Sequence, residues 1–230
     1  MRKNIIKFAK IDSTQNYAKK IAEKSPSGTI VVAQKQTQGR GRFERKWSSQ
    51  KGGLYFSIIL KPHIDIKRYP DKIPELTLKM AAAIIDALKI EKPKIFILTS
   101  EEQNESKFSF CPNAVKTKGL ILFIKPPNDV MVRMRDEGRG TKYKKIAGIL
   151  TESSISDNKI DWLVIGVGVN INNKIPKDLK KIAVSLKEIT KKKENIKKIF
   201  NEIIKRCESL VGFVADPSGS DVKTRCIPRF

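Results

Sequence analysis

An α/β protein built on a mixed β-sheet backed by helices is the fold class this sequence predicts, and three observations carry the expectation. Short apolar runs rich in β-branched residues recur along the chain, each bounded by glycine, proline or polar clusters. Segments with apolar residues at helical spacing alternate with them. The chain is 230 residues long with a hydrophobic share of 40%, which suits one domain with a sizeable core and argues against wholesale disorder.

The elements follow in order. Ile5 to Ala9 reads as a short strand, and Asp12-Ser13-Thr14 supplies capping side chains for a helix carrying Tyr17, Ala18, Ile21 and Ala22 on one face. Gly28 to Ala33 is a β-branched strand, and Gly52 to Leu60 is another. Between those two strands lies Gln36 to Trp47, polar and basic, which Gly39 and Gly41 mark as a mobile surface loop able to close over a ligand. Pro74 to Leu88 predicts a core-covering helix through Leu76, Met80, Ala83, Ile84, Ala87 and Leu88. Ile95 to Leu98 looks like a strand, whereas Thr99 to Lys118 is polar, aperiodic and long for a loop.

Gly119 to Ile124 returns to strand character, and Pro126-Pro127 stops it, holding Asn128 and Asp129 at its carboxyl end. Val130 to Val132 and Ile146 to Leu150 are expected hairpin partners, joined by a long charged connection from Arg133 to Lys145. Ile160 to Asn172 is an apolar strand with Gly166 and Gly168 inside it, positions that mark a bulge or a close approach of ligand or backbone. Ile196 to Leu210 carries a helical stripe that includes Cys207, which reads as core rather than catalytic. Residues 1–210 are thus taken as one domain and 211–230 as a short tail with little stable structure.

Charge and cysteine usage exclude some functions and leave others open. Lys+Arg 47 against Asp+Glu 24 gives a net charge of +23, which favours an anionic partner: nucleic acid, a membrane surface, a nucleotide or an acidic protein. Much of the excess is lysine on helix-like segments, which a solvated face also explains. Base-stacking aromatics would be needed for nucleic acid, and the aromatic share is 7% with no recognisable binding motif, so specific DNA binding is not expected. Three cysteines without a C-x-x-C pair, and one histidine, His63, assigned to the surface, make a zinc or disulfide framework unlike this chain and fit a reducing cytoplasm; no metal ligands are assigned. The basic N-terminus lacks a signal-peptide core and no apolar stretch matches a membrane span, so no membrane association is expected.

Gln36 to Trp47 carries the chemistry most visibly. Arg40, Arg42, Arg45 and Lys46 repel one another unless an anion joins them, and arginine's planar fork grips carboxylate or phosphate with paired hydrogen bonds. Taken alone the stretch is equally well a solvated basic turn. Ser13 can simply cap its helix, Asp129 can end a strand and Asn170 can close a turn.

Five motifs in one order change that balance: Asp12-Ser13-Thr14-Gln15-Asn16, Gln36 to Trp47, Lys125-Pro126-Pro127-Asn128-Asp129, Lys145-Ile146-Ala147-Gly148-Ile149-Leu150, and Gly166 to Asn172. This series resembles the catalytic domain of biotin protein ligases over about residues 3 to 210. The resemblance implies the class II synthetase-like biotin/lipoate ligase fold and an enzyme that joins biotin to ATP, forms biotinyl-5′-AMP, and transfers biotin to a lysine of a biotin carboxyl carrier protein or domain. It implies biotin contacts for Ser13, Thr14, Gln36, Arg40 and Lys145, and adenylate contacts for Arg42, Arg45, Trp47, Lys125, Asn128 and Asn170. Lys145, Arg42 and Asp129 would serve the reaction itself, ATP and biotin would be the substrates, and Mg²⁺ would accompany ATP. A lipoate-type ligase is the nearest alternative, against which the Gly39-Arg40-Gly41-Arg42 and Lys145-Ile146-Ala147-Gly148 pairing speaks. Oligomeric state, including a homodimer, is left open.

The chain also departs from the family pattern. Pro126 stands where tryptophan is usual, leaving the packing of that corner to be explained. The segments 99–118 and 133–144 look expanded. Neither the N-terminal helix-turn-helix of bifunctional relatives nor a complete C-terminal barrel is expected, so repressor activity is not.

Overall fold

The structure, a computed structural model, describes residues 4–62, 64–88, 121–136 and 140–215. Seven strands form one sheet: β1 (Ile5–Phe8), β2 (Thr29–Ala33), β3 (Leu54–Leu60), β4 (Ile121–Lys125), β5 (Asp129–Asp136), β6 (Gly140–Ser156) and β7 (Lys159–Val169). Their spatial order is β1-β2-β3-β7-β6-β5-β4. Only β1 and β2 run parallel, joined by the crossover helix α1 (Thr14–Ile21); every other neighbouring pair is antiparallel. The sheet is mixed, as the sequence predicts.

Two faces of the sheet have different neighbours, and alternation along each strand decides which side chain meets which. Leu54, Phe56, Ile58 and Leu60 of β3 and Leu163, Ile165, Val167 and Val169 of β7 point to the main core. There they meet α2 (Lys72–Leu88) and α3 (Ile196–Ala215). Cys207 is buried there with Met80, its Sγ 3.6 Å from the methionine sulfur, in the core position the helical stripe indicates. The opposite face carries α1, whose Ala18 packs with Val31, Ile59 and Val164 in a smaller cluster. Beyond the end of α1, that face shows Ser57, Gly148, Gly166 and Gly168, which leave a hollow where apolar side chains would otherwise stand.

Three sequence expectations are corrected. The segment from Arg133 to Lys145 is not a long connection but mostly strand: β5 continues to Asp136 and β6 begins at Gly140, so the pair is an extended hairpin. Its charged residues misled because main-chain pairing builds a strand without requiring an apolar pattern. The last helix runs past Leu210 to Ala215, so the boundary drawn at 210 falls inside it. Gln36 to Trp47 is a compact hairpin rather than an open loop. Trp47 N donates to Gly39 O, Gly41 N to Arg45 O, and Arg45 N to Arg42 O, with Phe43 and Glu44 at positive φ forming the tip. The strand expected at Ile95 to Leu98, the long segment Thr99 to Lys118, His63 and residues 216–230 lie outside the described residues.

Candidate functional site

A cavity of about 670 Å³ opens on the α1 face of the sheet, and its lining includes every residue singled out above: Ser13, Thr14, Gln36, Arg40, Arg42, Arg45, Trp47, Lys125, Asn128, Asp129, Lys145 and Asn170. Its size suits a ligand of nucleotide dimensions.

The buried end is built by the start of α1. Ser13 caps the helix, its Oγ accepting from Asn16 N at 3.4 Å, and this fixes where Thr14 points. Thr14 N and Oγ1 both donate to Gln36 Oε1, at 2.8 and 3.1 Å, while Gln36 Nε2 donates to Ser49 Oγ at 2.7 Å. Below them Ser57 Oγ donates to Thr14 Oγ1 and Gln15 Oε1, both at 3.0 Å. The result is a continuous chain of partnered polar groups, buried except for half-buried Gln36, and rigid because each member is held by the next. Ser49, Ser57 and Gln15 were not singled out from the sequence. Ser57 sits on the hollow side of β3 by simple alternation, which could have found it; Ser49 lies in irregular backbone that carries no such period.

Above this end lies the Trp47 indole. A Cβ on Gly168 would stand 2.5 Å from Trp47 Nε1, and one on Gly148 3.0 Å from its ring edge. Gly148 and Gly168 are therefore required by the close approach of this side chain, while Gly166 makes room for Gln15. Trp47 Nε1 is buried and has no hydrogen-bond partner among the described residues, so its N–H is available to an acceptor in the cavity.

Lys145 reaches the cavity through an irregularity in β6. Gly148, Leu150 and Glu152 face the hollow by alternation, which would send Lys145 to the core. Between Val130 and Met131 the β5–β6 register shifts by one, leaving Ile146 as the extra residue. Ile146 and Ala147 both turn into the core, and Lys145 swings to the cavity side. Its Nζ stands 2.6 Å from Asp129 Oδ1 and 5.1 Å from the centre of the Trp47 ring. The Asp129 contact is one of charge rather than of a well-directed hydrogen bond, since Oδ1 has no partner of good geometry. The main chain of Lys145 is clasped as well: its N donates to Ile182 O at 2.8 Å, and Val184 N donates to its carbonyl at 3.1 Å.

At the rim, Arg42 Nη1 donates to Asn128 Oδ1 at 3.3 Å, and its guanidinium lies 4.8 Å from the ring centre of Phe43. Asn128 in turn donates from Nδ2 to Ile149 O and accepts from Ile149 N at its own carbonyl, both at 2.9 Å. These bonds hold the corner at Pro126-Pro127, joined by a cis peptide, where the tryptophan of the usual pattern is missing. Asn170 is buried, and its Oδ1 accepts from Asn173 Nδ2 at 3.0 Å, so it closes a turn while lining the cavity. Arg45 and Lys46 are exposed on the outer strand of the hairpin.

Two anionic groups could be accommodated: a carboxylate near Lys145, and a phosphate between Lys145 and Arg42. Comparison with known proteins bears on this arrangement directly. The model of the biotin/lipoate A/B protein ligase family matches residues 7–170. The chain belongs to that family. A Bacillus subtilis protein named "Bifunctional ligase/repressor BirA" is 33% identical over 193 residues, covering 82% of this chain and 47% of that protein. A "Biotin--protein ligase" of Schizosaccharomyces pombe is 30% identical over 170 residues, covering 71% of this chain and 23% of that one. Among solved structures, a biotin protein ligase from Aquifex aeolicus in complex with biotin and ATP is 30% identical, with a TM-score of 0.62 over 92% of this chain and 71% of that one. The chain spans about half the length, or less, of these curated relatives.

As a biotin/lipoate ligase family member, the chain brings its five motifs to one cavity with no motif stranded elsewhere. What the motifs did not announce is Glu152, two positions beyond Leu150. It accepts from Lys19 Nζ at 2.8 Å and from Arg40 Nη1 at 3.2 and 3.3 Å. Burial opposes its ionisation, but the Lys19 and Gln15 hydrogen bonds and the Arg40 and Lys19 charges outweigh that and hold its pKa below the ordinary glutamate value.

Proposed function

We propose that this chain is an ATP-dependent biotin protein ligase, working in a reducing cytoplasm, that forms biotinyl-5′-AMP and passes biotin to a lysine of a biotin carboxyl carrier protein or domain. The observation that carries the reading is the order of groups along one cavity: a polar end at buried Thr14 and half-buried Gln36 and Arg40, then Lys145 beside Asp129, then Arg42 and Asn128 at the rim. A ureido ring supplies an acceptor for the N–H groups left free at this end, Trp47 Nε1 and the Arg40 nitrogens other than Nη1, which the dithiolane of lipoate would leave without partners. That favours biotin over the lipoate-type reading.

In the reaction, a biotin carboxylate oxygen attacks the α-phosphorus of ATP, the bond from that phosphorus to the bridging oxygen breaks, and pyrophosphate leaves. Both reactants are anionic, so the step needs preorganised positive charge. Lys145 supplies it at the point of attack, Arg42 binds the phosphate of the product, and Arg45 and Lys125 add positive charge at the rim. Asn170 is assigned to the adenine. Asp129 keeps the lysine aimed. In the second step the neutral ε-amine of the carrier lysine attacks the acyl carbon, the amide forms, and AMP departs.

Mg²⁺ enters with the nucleotide. Among the described residues Asp129 is the single carboxylate lining the cavity, and no group of three or more His, Cys, Asp or Glu could hold a metal ion. The donor set fits an ion carried mainly by triphosphate oxygens and water.

The test is incubation with ATP, Mg²⁺, biotin and a biotin carrier domain, followed by intact-mass measurement of the carrier. One biotin added per carrier is expected. Folded protein that leaves the carrier mass unchanged sinks the proposal.

A further inference from the structure

Arg40 is tethered through one nitrogen only. Nη1 donates to Asn16 Oδ1 at 3.2 Å and to the two oxygens of Glu152 at 3.2 and 3.3 Å, while among the described residues Nε and Nη2 donate to nothing. A guanidinium is planar, so fixing one corner of the fork fixes the directions of the remaining donors. Asn16 lies on α1 and Glu152 on β6, so two regular elements set the orientation of a side chain that comes from the hairpin at Gln36 to Trp47.

We propose that Glu152 is a positioning residue for Arg40, holding its free N–H groups toward the buried end of the cavity so that they meet the ring of the bound acid already oriented. The assignment rests on the ligase reading above. Glu152 occupies the hollow side of β6 by the same alternation that places Gly148 and Leu150 there, paired with Val164 of β7 in the regular part of the ladder. One oxygen, Oε1, takes both Lys19 at 2.8 Å and Arg40 at 3.2 Å. Two cations thus approach a single carboxylate oxygen, and the carboxylate charge is what lets them coexist. Without it the Lys19 ammonium repels the Arg40 guanidinium, and a flexible hairpin side chain is the one that yields. Both side chains are only partly exposed, at 34% for Arg40 and 22% for Glu152, so solvent screens the pair incompletely.

The chemistry separates orientation from reaction. Arg40 addresses the ring end of the substrate, remote from Lys145, so loss of its orientation weakens binding of free biotin and leaves the chemical step at saturation alone. Glu152→Gln keeps size and removes charge. It is expected to raise the biotin Kd and KM about tenfold, the ordinary scale for losing one charged hydrogen-bond partner, with kcat near wild type. Adding Lys19→Met to Glu152→Gln removes the stranded ammonium and should recover part of the affinity. In an Arg40→Ala background, Glu152→Gln should cost little more, because its effect passes through Arg40.

The experiment is biotin titration by calorimetry, with steady-state pyrophosphate release, on wild type, E152Q, K19M/E152Q, R40A and R40A/E152Q. Should E152Q alone fail to fold, K19M/E152Q, which lacks the stranded ammonium, is compared with K19M measured alongside it. Unchanged biotin affinity in E152Q overturns the assignment, and so does an equal loss with and without Arg40. Wild-type protein that binds no biotin has a different signature: it defeats the ligase reading itself, and the role of Glu152 falls with it.

Discussion

Lys145 Nζ and Asp129 Oδ1 lie 2.6 Å apart across the β5–β6 ladder, next to the point where its register slips by one residue. The acid holds the lysine over the cavity, where the proposed mechanism places the reacting carboxylate and phosphate. Lys145→Ala is expected to slow adenylate formation by about two to three orders of magnitude, the scale for removing one preorganised charge from a transition state. Asp129→Ala should cost less, since the charge remains and only its aim is lost. Pyrophosphate release under single-turnover conditions checks both; rates equal to wild type would remove Lys145 from the mechanism.

Arg42 addresses a different stage. Its contact with Asn128 is a single hydrogen bond at the exposed rim, and the proposed mechanism assigns it to the phosphate of the adenylate. Arg42→Ala should speed dissociation of preformed adenylate about tenfold or more, with a smaller effect on its formation. A chase with unlabelled biotin and ATP after loading with labelled biotin measures this. Retention as long as in wild type would assign the phosphate to another group.

Gly168→Ala tests the hollow in the sheet. The new methyl would meet the rigid Trp47 ring rather than a flexible side chain, so the indole must shift. About 1–3 kcal/mol of stability should be lost together with much of the biotin affinity. Thermal unfolding and biotin titration on the same sample read the two effects, and unchanged affinity would mean that Trp47 does not bound the biotin site.

Acid should destabilise the fold through Glu152 and Glu75. For Glu75, as for Glu152, burial works against the charged form but nearby cations prevail, here the hydrogen bonds and charges of Lys79 and Lys72. Both folded pKa values lie below the unfolded one, so the folded state binds fewer protons near that range. Their stabilisation is complete above the ordinary value of about 4.3 and is lost as the pH falls below it through the depressed native values. The unfolding midpoint should therefore decline below about pH 4.5, and less steeply in E75Q/E152Q. Parallel curves for the variant and wild type would exclude these two groups as the cause.

Much of the architecture was legible because periodicity and burial agree in this chain. The stripe on Ile196, Ile199, Ile203 and Cys207 has one physical reading, whereas the glycines of β7 allowed either a bulge or a close approach, and the structure shows the approach of the Gln15 and Trp47 side chains. The motif residues converge as their order implies. Lys145 was legible as a residue but not as a geometry: nothing in Lys145-Ile146-Ala147 marks Ile146 as the extra residue of a bulge, since both apolar neighbours simply look buried. The ribbon from Arg133 to Tyr143 hid for the opposite reason, because strands paired by main-chain bonds can carry charge on both sides. Glu152 escaped because its importance lies in partners distant in sequence, Lys19 and Arg40.

The paired bonds from Lys145 to Ile182 and Val184 have a thermodynamic consequence. Ile182 belongs to the wall that includes Pro176 and Leu179, so that wall and the reacting lysine share one stretch of main-chain ladder. A ligand that moves the wall moves the lysine. Occupancy at one end of the cavity and affinity at the other are then linked quantities, and reciprocity requires that whatever factor biotin adds to nucleotide binding, the nucleotide returns to biotin.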